Sequence, residues 1–182
     1  MLNKQKGIVV GDNYYLTYNE IHRTIRNLAD RILDSDFNPD VIVVIGTGGF
    51  IPARIIRTFI DRPILTVGLQ HYNKENRPTE IPRKIQWIDE VEKKLPGKKV
   101  LLVDEVDDTR VTLEYCLNEL LRHKPAEIAV AVLANKRKKK TGVIPDKISR
   151  YYVGKEPDDR WICYPWDADD IDEQDRRSNH DL

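Results

Sequence analysis

The sequence predicts an α/β protein with a doubly wound, mostly parallel sheet. Two separate segments share one order of elements: an apolar run, a short polar or glycine-rich loop, and apolar residues at helical spacing. The two apolar runs are residues 41–45 and 100–103. Apolar runs without alternation are typical of strands buried on both faces, and a parallel sheet covered by helices provides that burial.

The composition indicates one domain of ordinary size, spanning residues 1–182. Of the 182 residues, 40% are hydrophobic, which is enough for a sizeable core. Lysine plus arginine and aspartate plus glutamate each number 30, so the net charge is zero. Because no bulk field attracts nucleic acid or a membrane surface, we expect neither as a partner.

The cysteines and the apolar segments predict the compartment. Cys116 and Cys163 lie far apart in sequence and are poor material for a disulfide framework or a zinc site. Residues 1–6 lack the apolar run of a secretion signal, and no segment has the length of a membrane span. These features favour a cytoplasmic protein.

The first predicted helix covers residues 17–34. Thr17 and Glu20 have the spacing of a capping box, in which each side chain binds the other residue's backbone N–H. The apolar residues that follow recur at positions that share one helix face. Pro39 then interrupts the pattern, and the β-branched run at 41–45 is predicted to be a central strand.

A glycine-rich loop, residues 46–49, follows this strand and leads into a helix with Pro52 near its first turn. Glycines let backbone amides approach a diphosphate without obstruction by side chains. A tight turn that binds nothing is the alternative interpretation.

A polar segment follows the next predicted strand, which covers residues 63–69. Residues 70–82 contain two prolines and show no periodicity. A loop of this length indicates either a disordered insertion or a functional lid. Residues 84–88 are predicted to form a short returning strand.

The second apolar run ends in two carboxylates, Asp104 and Glu105, and residues 107–112 lead from there into a helix predicted at 112–123. In an open parallel sheet, ligands bind at the carboxyl ends of the strands, and the start of the following helix binds phosphate. The two acids can accept hydrogen bonds from vicinal ribose hydroxyls or hold Mg²⁺.

The loop after the acids is suited to a 5′-phosphate. Thr109, Thr112 and the loop amides can donate hydrogen bonds to it. A polar turn capped by Asp108 or Thr109, without a ligand, is the alternative.

This stretch resembles the phosphoribosyl-diphosphate (PRPP) signature of the type I phosphoribosyltransferases, in which two acids and then Asp-Thr-Gly-x-Thr follow an apolar strand. The variant Glu-Val-Asp-Asp-Thr-Arg is similar to the fungal hypoxanthine and xanthine phosphoribosyltransferases. Arg110 stands at the usual glycine, so either the loop needs no positive φ there or Arg110 accepts the strain and contributes charge to the phosphate. The resemblance implies that ribose and phosphate are bound by Asp104, Glu105, Asp107, Thr109, Arg110, Val111 and Thr112.

The resemblance also implies the reaction. Asp104 and Glu105 would hold Mg²⁺, mostly through the substrate, and Asp108 would be the general base for the purine N7 proton. The glycine loop is similar to the pyrophosphate loop of bacterial xanthine-guanine phosphoribosyltransferases, which implies contacts from Thr47, Gly48 and Gly49 and a strained, cis peptide at Thr47–Gly48. In the family an aromatic residue, here Tyr72, begins a mobile lid.

A run of five cations, residues 136–140, follows a strand predicted at 127–134. Because no aromatic residues are interleaved and acids lie close by in sequence, a solvated loop is favoured over a nucleic-acid site. The resemblance places a lysine here against the purine O6, and Lys136 or a neighbour takes that role.

The most aromatic segment follows the last predicted strand, residues 149–153. Its string Trp-Ile-x-x-Pro-Trp-Asp is similar to the base-binding hood of the bacterial enzymes, which implies purine contacts from Trp161, Ile162 and Asp167. Core cover is the alternative for the tryptophans. We expect a small hood at 155–170 and a frayed tail at 171–182.

Taken together, the resemblance implies transfer of phosphoribosyl from PRPP to N9 of a 6-oxopurine: xanthine, guanine or hypoxanthine. It also implies a homo-oligomer, either a dimer or a tetramer. The alternative is a regulator that senses PRPP or a nucleotide on the same fold and binds nucleic acid through residues 136–140.

Overall fold

A computed structural model describes residues 8–72, 78–148 and 150–178. Among these residues there are nine strands and five α-helices. Strands β1 to β9 are Ile8–Val10, Asn13–Tyr15, Val41–Gly46, Ile64–Tyr72, Pro78–Gln86, Lys99–Asp107, Glu127–Asn135, Arg150–Lys155 and Trp161–Cys163. Helices α1 to α5 are Tyr18–Leu33, Phe50–Ile60, Val91–Lys94, Val111–Leu121 and Ile171–Ser178, and a 3₁₀-helix covers Pro165–Asp167.

Six strands form the central sheet in the order β5-β4-β3-β6-β7-β8. All neighbouring pairs run parallel except β5, which pairs antiparallel with β4 at the sheet edge. The predicted α/β class with a doubly wound, mostly parallel sheet is confirmed. Within the described ranges, no helix is long and apolar enough to span a membrane.

The central sheet is buried on both faces. In β6, Leu101 and Val103 pack into the core that α1 and α2 cover, while Val100 and Leu102 pack into the core that contains α4. This division follows from the two-residue period of a strand, which sends successive side chains to opposite faces. An apolar run with no alternation is therefore what this position requires.

The first helix forms as the capping box predicts. Thr17 Oγ1 accepts a hydrogen bond of 3.0 Å from the Glu20 backbone N–H, and the Glu20 carboxylate accepts from the Thr17 N–H. Ile21, Ile25 and the other apolar residues of the helix face are buried against the sheet.

A second, three-stranded sheet in the order β1-β2-β9 combines the two ends of the chain. Strand β2 runs parallel to β9, and Leu16 N donates to Cys163 O over 3.2 Å. The hood predicted at 155–170 therefore also includes residues 8–15. Strands of three residues carry no readable periodicity, so the sequence did not predict β1 or β2.

The tail is more ordered than predicted. Residues 171–178 form α5 instead of a frayed end, and Gln174 and Ser178 are buried. Gln174 Nε2 donates hydrogen bonds to Leu16 O and to Cys163 O, each with a length of 3.0 Å. A polar helix is held here because its buried amide satisfies backbone carbonyls of the hood, which composition alone does not reveal. Residues 179–182 lie outside the described part of the chain.

The polar segment at 70–82 also differs from the prediction of a loop. Strands β4 and β5 continue into it from both sides and pair as an antiparallel hairpin, with Tyr72 opposite Pro78. Main-chain hydrogen bonds extend such an edge pair without an apolar pattern. Residues 73–77 lie outside the described residues.

Candidate active site

A cavity of about 660 Å³ opens at the carboxyl ends of β3 and β6. Most of the predicted site residues line it, although they come from four distant segments of the chain. These residues are Thr47, Gly48, Asp104, Glu105, Asp107, Asp108, Thr109, Arg110, Thr112, Lys136, Trp161, Ile162 and Asp167.

Three predicted residues are placed differently. Gly49 is the N-cap of α2, and its backbone N–H donates to Ile45 O over a distance of 3.1 Å. Val111 is the first residue of α4, where a helix start leaves backbone N–H groups without partners inside the helix. Tyr72 is the last residue of β4, and its side chain lies outside what the structure describes.

The acid pair lies within β6 rather than after it, because the strand continues to Asp107. Asp104 is buried at 5% exposure, and its Oδ1 accepts from the Glu105 N–H over 3.0 Å. Burial, and then the neighbouring charge of Glu105, raise the pKa of Asp104 well above its usual value. A divalent cation or donating hydroxyls would stabilise both carboxylates.

The glycine loop closes directly against this pair. A Cβ atom at Gly48 would overlap the Glu105 carboxyl group, so only glycine allows the approach. The cis peptide lies at Gly46–Thr47, one bond before the predicted Thr47–Gly48. The loop and the acid pair therefore bound one side of the cavity together.

Asp107 borders the cavity, but its carboxylate is fully buried and directed into a polar cluster. Its Oδ2 accepts from Arg110 Nε over 2.9 Å, from Arg110 Nη2 over 2.8 Å and from the Tyr151 hydroxyl. Its Oδ1 makes no hydrogen bond within the described residues, and Lys140 Nζ lies 3.6 Å away. The carboxylate of Asp107 thus supports the loop from within.

Arg110 stands where the family pattern has glycine, and its backbone conformation shows what the loop requires there. Its φ is 74°, so the loop does need the left-handed conformation that glycine usually supplies. The guanidinium binds Asp107 and lies 5.6 Å from the Tyr151 ring centroid. Arg110 therefore accepts the strain and directs its charge to a buried carboxylate, a partner that the sequence did not indicate.

We expect Arg110→Gly to destabilise the protein by about 2 kcal/mol, even though glycine suits this conformation. Relief of strain contributes about 1–3 kcal/mol, whereas removing one partner of a buried ion pair costs about 3–5 kcal/mol. Denaturant unfolding measures the difference. The control is the same change in an Asp107→Asn background, where no carboxylate is stranded and glycine should stabilise. A stabilised Arg110→Gly single variant would show that strain dominates.

The side chain of Asp108 is 30% exposed and faces the cavity, whereas that of Asp107 has no exposed surface. Lys138 Nζ lies 3.0 Å and Lys136 Nζ 3.3 Å from its Oδ1. Burial raises the pKa of Asp108, but the hydrogen bonds and charges of the two lysines outweigh that effect and hold the pKa below its usual value. Asp108 is therefore ionised and oriented at neutral pH.

The basic run is engaged by the chain itself. Lys136, Lys138 and Lys140 alternate with the exposed Arg137 and Lys139, as in an extended segment. Lys140 Nζ donates to the backbone carbonyls of Asp107 and Asp108 over 2.7 and 2.8 Å. The sequence predicted a solvated loop, but three of its five cations hold the 107–108 segment.

The two tryptophans of the aromatic segment have different environments. Trp161 is 70% exposed at the rim of the cavity, so core cover does not explain it. Trp166 stacks on the buried Tyr164 at 4.5 Å between ring centroids, with 7° between the planes. Trp161 is thus the ring that can stack on a planar ligand, while Trp166 is core cover.

Sequence reasoning missed two residues that shape the site. Tyr164 donates from its hydroxyl to Glu105 O over 3.2 Å, and Tyr151 binds Asp107. The sequence gives no local signal for either contact, because each joins residues more than 40 positions apart.

Fold and site define a class of protein: an α/β protein with a cavity at the carboxyl edge of a parallel sheet, bordered by a glycine loop, an acid-ended loop and an exposed tryptophan ring. Comparison with known proteins then names the family. The family model of the phosphoribosyl transferase domain matches residues 15–169, and the chain belongs to this family.

The relatives agree with this assignment. The chain is 40% identical to hypoxanthine-guanine phosphoribosyltransferase of Schizosaccharomyces pombe, covering 88% of this chain and 92% of the relative. It is 38% identical to xanthine phosphoribosyltransferase 1 of Saccharomyces cerevisiae, with coverage of 89% and 93%. The crystal structure of a hypothetical protein from Neisseria gonorrhoeae with bound ppGpp superposes with a TM-score of 0.87 at 45% identity, over 96% and 100% of the chains. The predicted resemblance to the fungal enzymes is confirmed.

Proposed function

We propose that the protein transfers the phosphoribosyl group of PRPP to N9 of a 6-oxopurine, giving a nucleoside monophosphate and pyrophosphate in purine salvage. One observation carries this proposal: a single cavity joins an acid pair, two loops that lead into helices and an exposed tryptophan. The names of the fungal relatives support the same activity.

The residues divide the substrates between them. Asp104 and Glu105 accept from the ribose hydroxyls, residues 107–112 hold the 5′-phosphate, and residues 47–49 hold the departing diphosphate. Because both phosphate ends and the base are held, positioning of the reacting atoms supplies most of the rate enhancement. The bond from ribose C1 to the diphosphate oxygen breaks, and the bond from C1 to N9 forms.

Asp108 and Lys136 act on the base. As N9 attacks, Asp108 accepts the N7 proton through Oδ2, since Lys136 and Lys138 bind Oδ1. Lys136 donates to the purine O6. Trp161 stacks on the ring, with Ile162 and Asp167 beside the base edge.

The donor set fits Mg²⁺. Asp104 and Glu105 offer hard carboxylate oxygens whose mutual repulsion a divalent cation relieves. Within the described residues, no cluster of three or more His, Cys, Asp or Glu side chains forms a metal centre, so substrate oxygens would complete the shell. When bound, Mg²⁺ would neutralise charge on the departing diphosphate.

Guanine is one candidate base, since it stands in the name of the Schizosaccharomyces relative and the Neisseria protein holds ppGpp, a guanine nucleotide. Hypoxanthine and xanthine are the other candidates, as in the names of the fungal relatives. We also propose that the β4–β5 hairpin around Tyr72 acts as a lid, since Leu69, His71 and Ile85 of this hairpin border the cavity. A homo-oligomer, a dimer or tetramer, in the cytoplasm remains the expectation from the family.

Pyrophosphate release tests the function. The protein is mixed with PRPP, Mg²⁺ and each of guanine, hypoxanthine, xanthine and adenine, and the nucleotide product is identified. Release with a 6-oxopurine but not with adenine supports the proposal. No release with any base, together with PRPP binding by calorimetry, would favour the PRPP-sensing regulator instead.

We expect Trp161→Ala to raise the purine KM by roughly 10- to 100-fold while changing the PRPP KM little. Stacking of an aromatic ring on a base is worth about 1–3 kcal/mol in nucleic-acid complexes. Steady-state kinetics with each substrate varied in turn measure both constants, and Trp161→Phe is the control that keeps a ring. Equal effects on both KM values would mean that Trp161 has a structural role.

A further inference from the structure

The basic run contains a lysine, Lys138, that makes a second ion pair which the proposed function does not use. Lys138 Nζ binds two carboxylates at once: Asp108 Oδ1 at 3.0 Å and Asp159 Oδ1 at 2.9 Å. Asp159 belongs to the hood and lies two residues before Trp161, the proposed stacking ring. A single ammonium group thus links the proposed general base to the segment that carries the base platform.

The segment around Lys138 is fixed on both sides. Arg137 N donates to Pro157 O over 2.8 Å, and Lys138 N donates to Lys136 O over 2.9 Å. Thr141 N and Gly142 N both donate to Thr109 O, over 3.1 and 3.0 Å. The backbone of the run is therefore tied to the hood at one end and to the phosphate loop at the other.

Lys136 and Lys138 share one oxygen of Asp108, and the reaction uses them differently. When Lys136 donates to the purine O6, its ion pair with Asp108 is weakened, and the ion pair between Lys138 and Asp108 remains. Because Lys138 binds Oδ1, it would leave Oδ2 as the oxygen that accepts from a ligand. A carboxylate held by one charge-assisted hydrogen bond retains its orientation, whereas an unheld one samples several rotamers.

We propose that Lys138 is a positioning residue for the reaction: through Asp159 it ties the Asp108 carboxylate to the hood and aims it at the purine N7. This inference rests on the proposed function, in which Asp108 receives the proton. The role predicts that Lys138 acts on the chemical step rather than on binding of PRPP.

The test is a double-mutant cycle in the full-length protein, with kcat and both KM values measured for each variant. Lys138→Met should lower kcat about tenfold, with the PRPP KM within about twofold of the wild type, since a misplaced reacting group costs rate rather than affinity. Lys138→Arg should recover most of the rate. In an Asp108→Asn background, Lys138→Met should cause no further loss.

Neighbouring residues supply matched controls. Lys139→Met removes an adjacent exposed cation and should leave kcat unchanged. Asp159→Asn should lower kcat about threefold by releasing the hood end of Lys138, whereas Asp158→Asn, whose partner is Arg137 at 3.7 Å, should not.

Three outcomes would overturn the inference. A wild-type rate in Lys138→Met, or losses that add in the Asp108→Asn background, would overturn the inference alone while the proposed function stands. A wild-type protein that releases no pyrophosphate would overturn the proposed function and the inference with it.

Discussion

Asp108→Asn is expected to lower kcat by about 10²–10⁴-fold while the PRPP KM stays level or falls. Asparagine keeps a side-chain oxygen that can accept hydrogen bonds from Lys136 and Lys138, which bind Asp108 Oδ1 in the wild type. It cannot take a proton from the purine N7. The variant also removes a negative charge beside a phosphate loop, so PRPP should bind at least as well.

The neighbouring acid separates the chemical role from the structural one. Asp107→Asn should have the milder effect on single-turnover rates, because the Asp107 carboxylate binds Arg110 and Tyr151 instead of facing the cavity. It should also unfold at lower denaturant concentration, since it weakens a buried ion pair. If Asp107→Asn were the slower variant, the proton acceptor would be misassigned. If both kept wild-type rates, the enzyme would rely on positioning alone.

The combined change Asp104→Asn and Glu105→Gln is expected to weaken PRPP binding in the presence of Mg²⁺ by roughly 10²–10⁴-fold. Each lost charge-assisted hydrogen bond is worth about 1.5–3 kcal/mol, and about 1.4 kcal/mol corresponds to a factor of ten. Calorimetric titration with PRPP and Mg²⁺ measures the loss. Asp169→Asn, an exposed acid outside the cavity lining, is the control for a change in net charge.

The same double variant should unfold at a higher denaturant concentration than the wild type. Burial and the charge of Glu105 raise the pKa of Asp104, so the ionised folded protein is destabilised relative to the unfolded chain. Because the pKa of Asp104 is higher in the folded protein than in the unfolded chain, the wild type's free energy of unfolding falls as the pH rises above about 4, the ordinary carboxyl pKa. The advantage of the variant should therefore grow above that pH. If the double variant instead lost both stability and PRPP affinity, the acid pair would have a structural role.

Local patterns in the sequence were sufficient for the central sheet and its helices. The capping box at Thr17 and Glu20 and the unbroken apolar runs at 41–45 and 100–103 report burial directly, since each run must suit both faces of its strand. The acid pair and its loop were readable for the same reason: the residues that meet the ligand are contiguous there.

The hood and the tail were not readable in this way. Strands β1, β2 and β9 have three residues each, and α5 is polar, so neither shows a periodic apolar face. What stabilises them is hydrogen bonding between the two ends of the chain, such as Gln174 to Leu16. Long-range partners of this kind leave no mark on the local sequence.

The sequence by itself determined which chemical groups reach the carboxyl edge of the sheet: paired acids, a glycine loop, a lysine run and a tryptophan. Only the tertiary structure decided which of those groups face the cavity and which bind other parts of the chain. Asp107 and Asp108 are adjacent and chemically identical, yet one is buried against Arg110 while the other faces the cavity between two lysines. Neighbouring side chains at a strand end point in different directions. The distant segments that carry Tyr151 on one side and Lys136 and Lys138 on the other supply different partners in each direction.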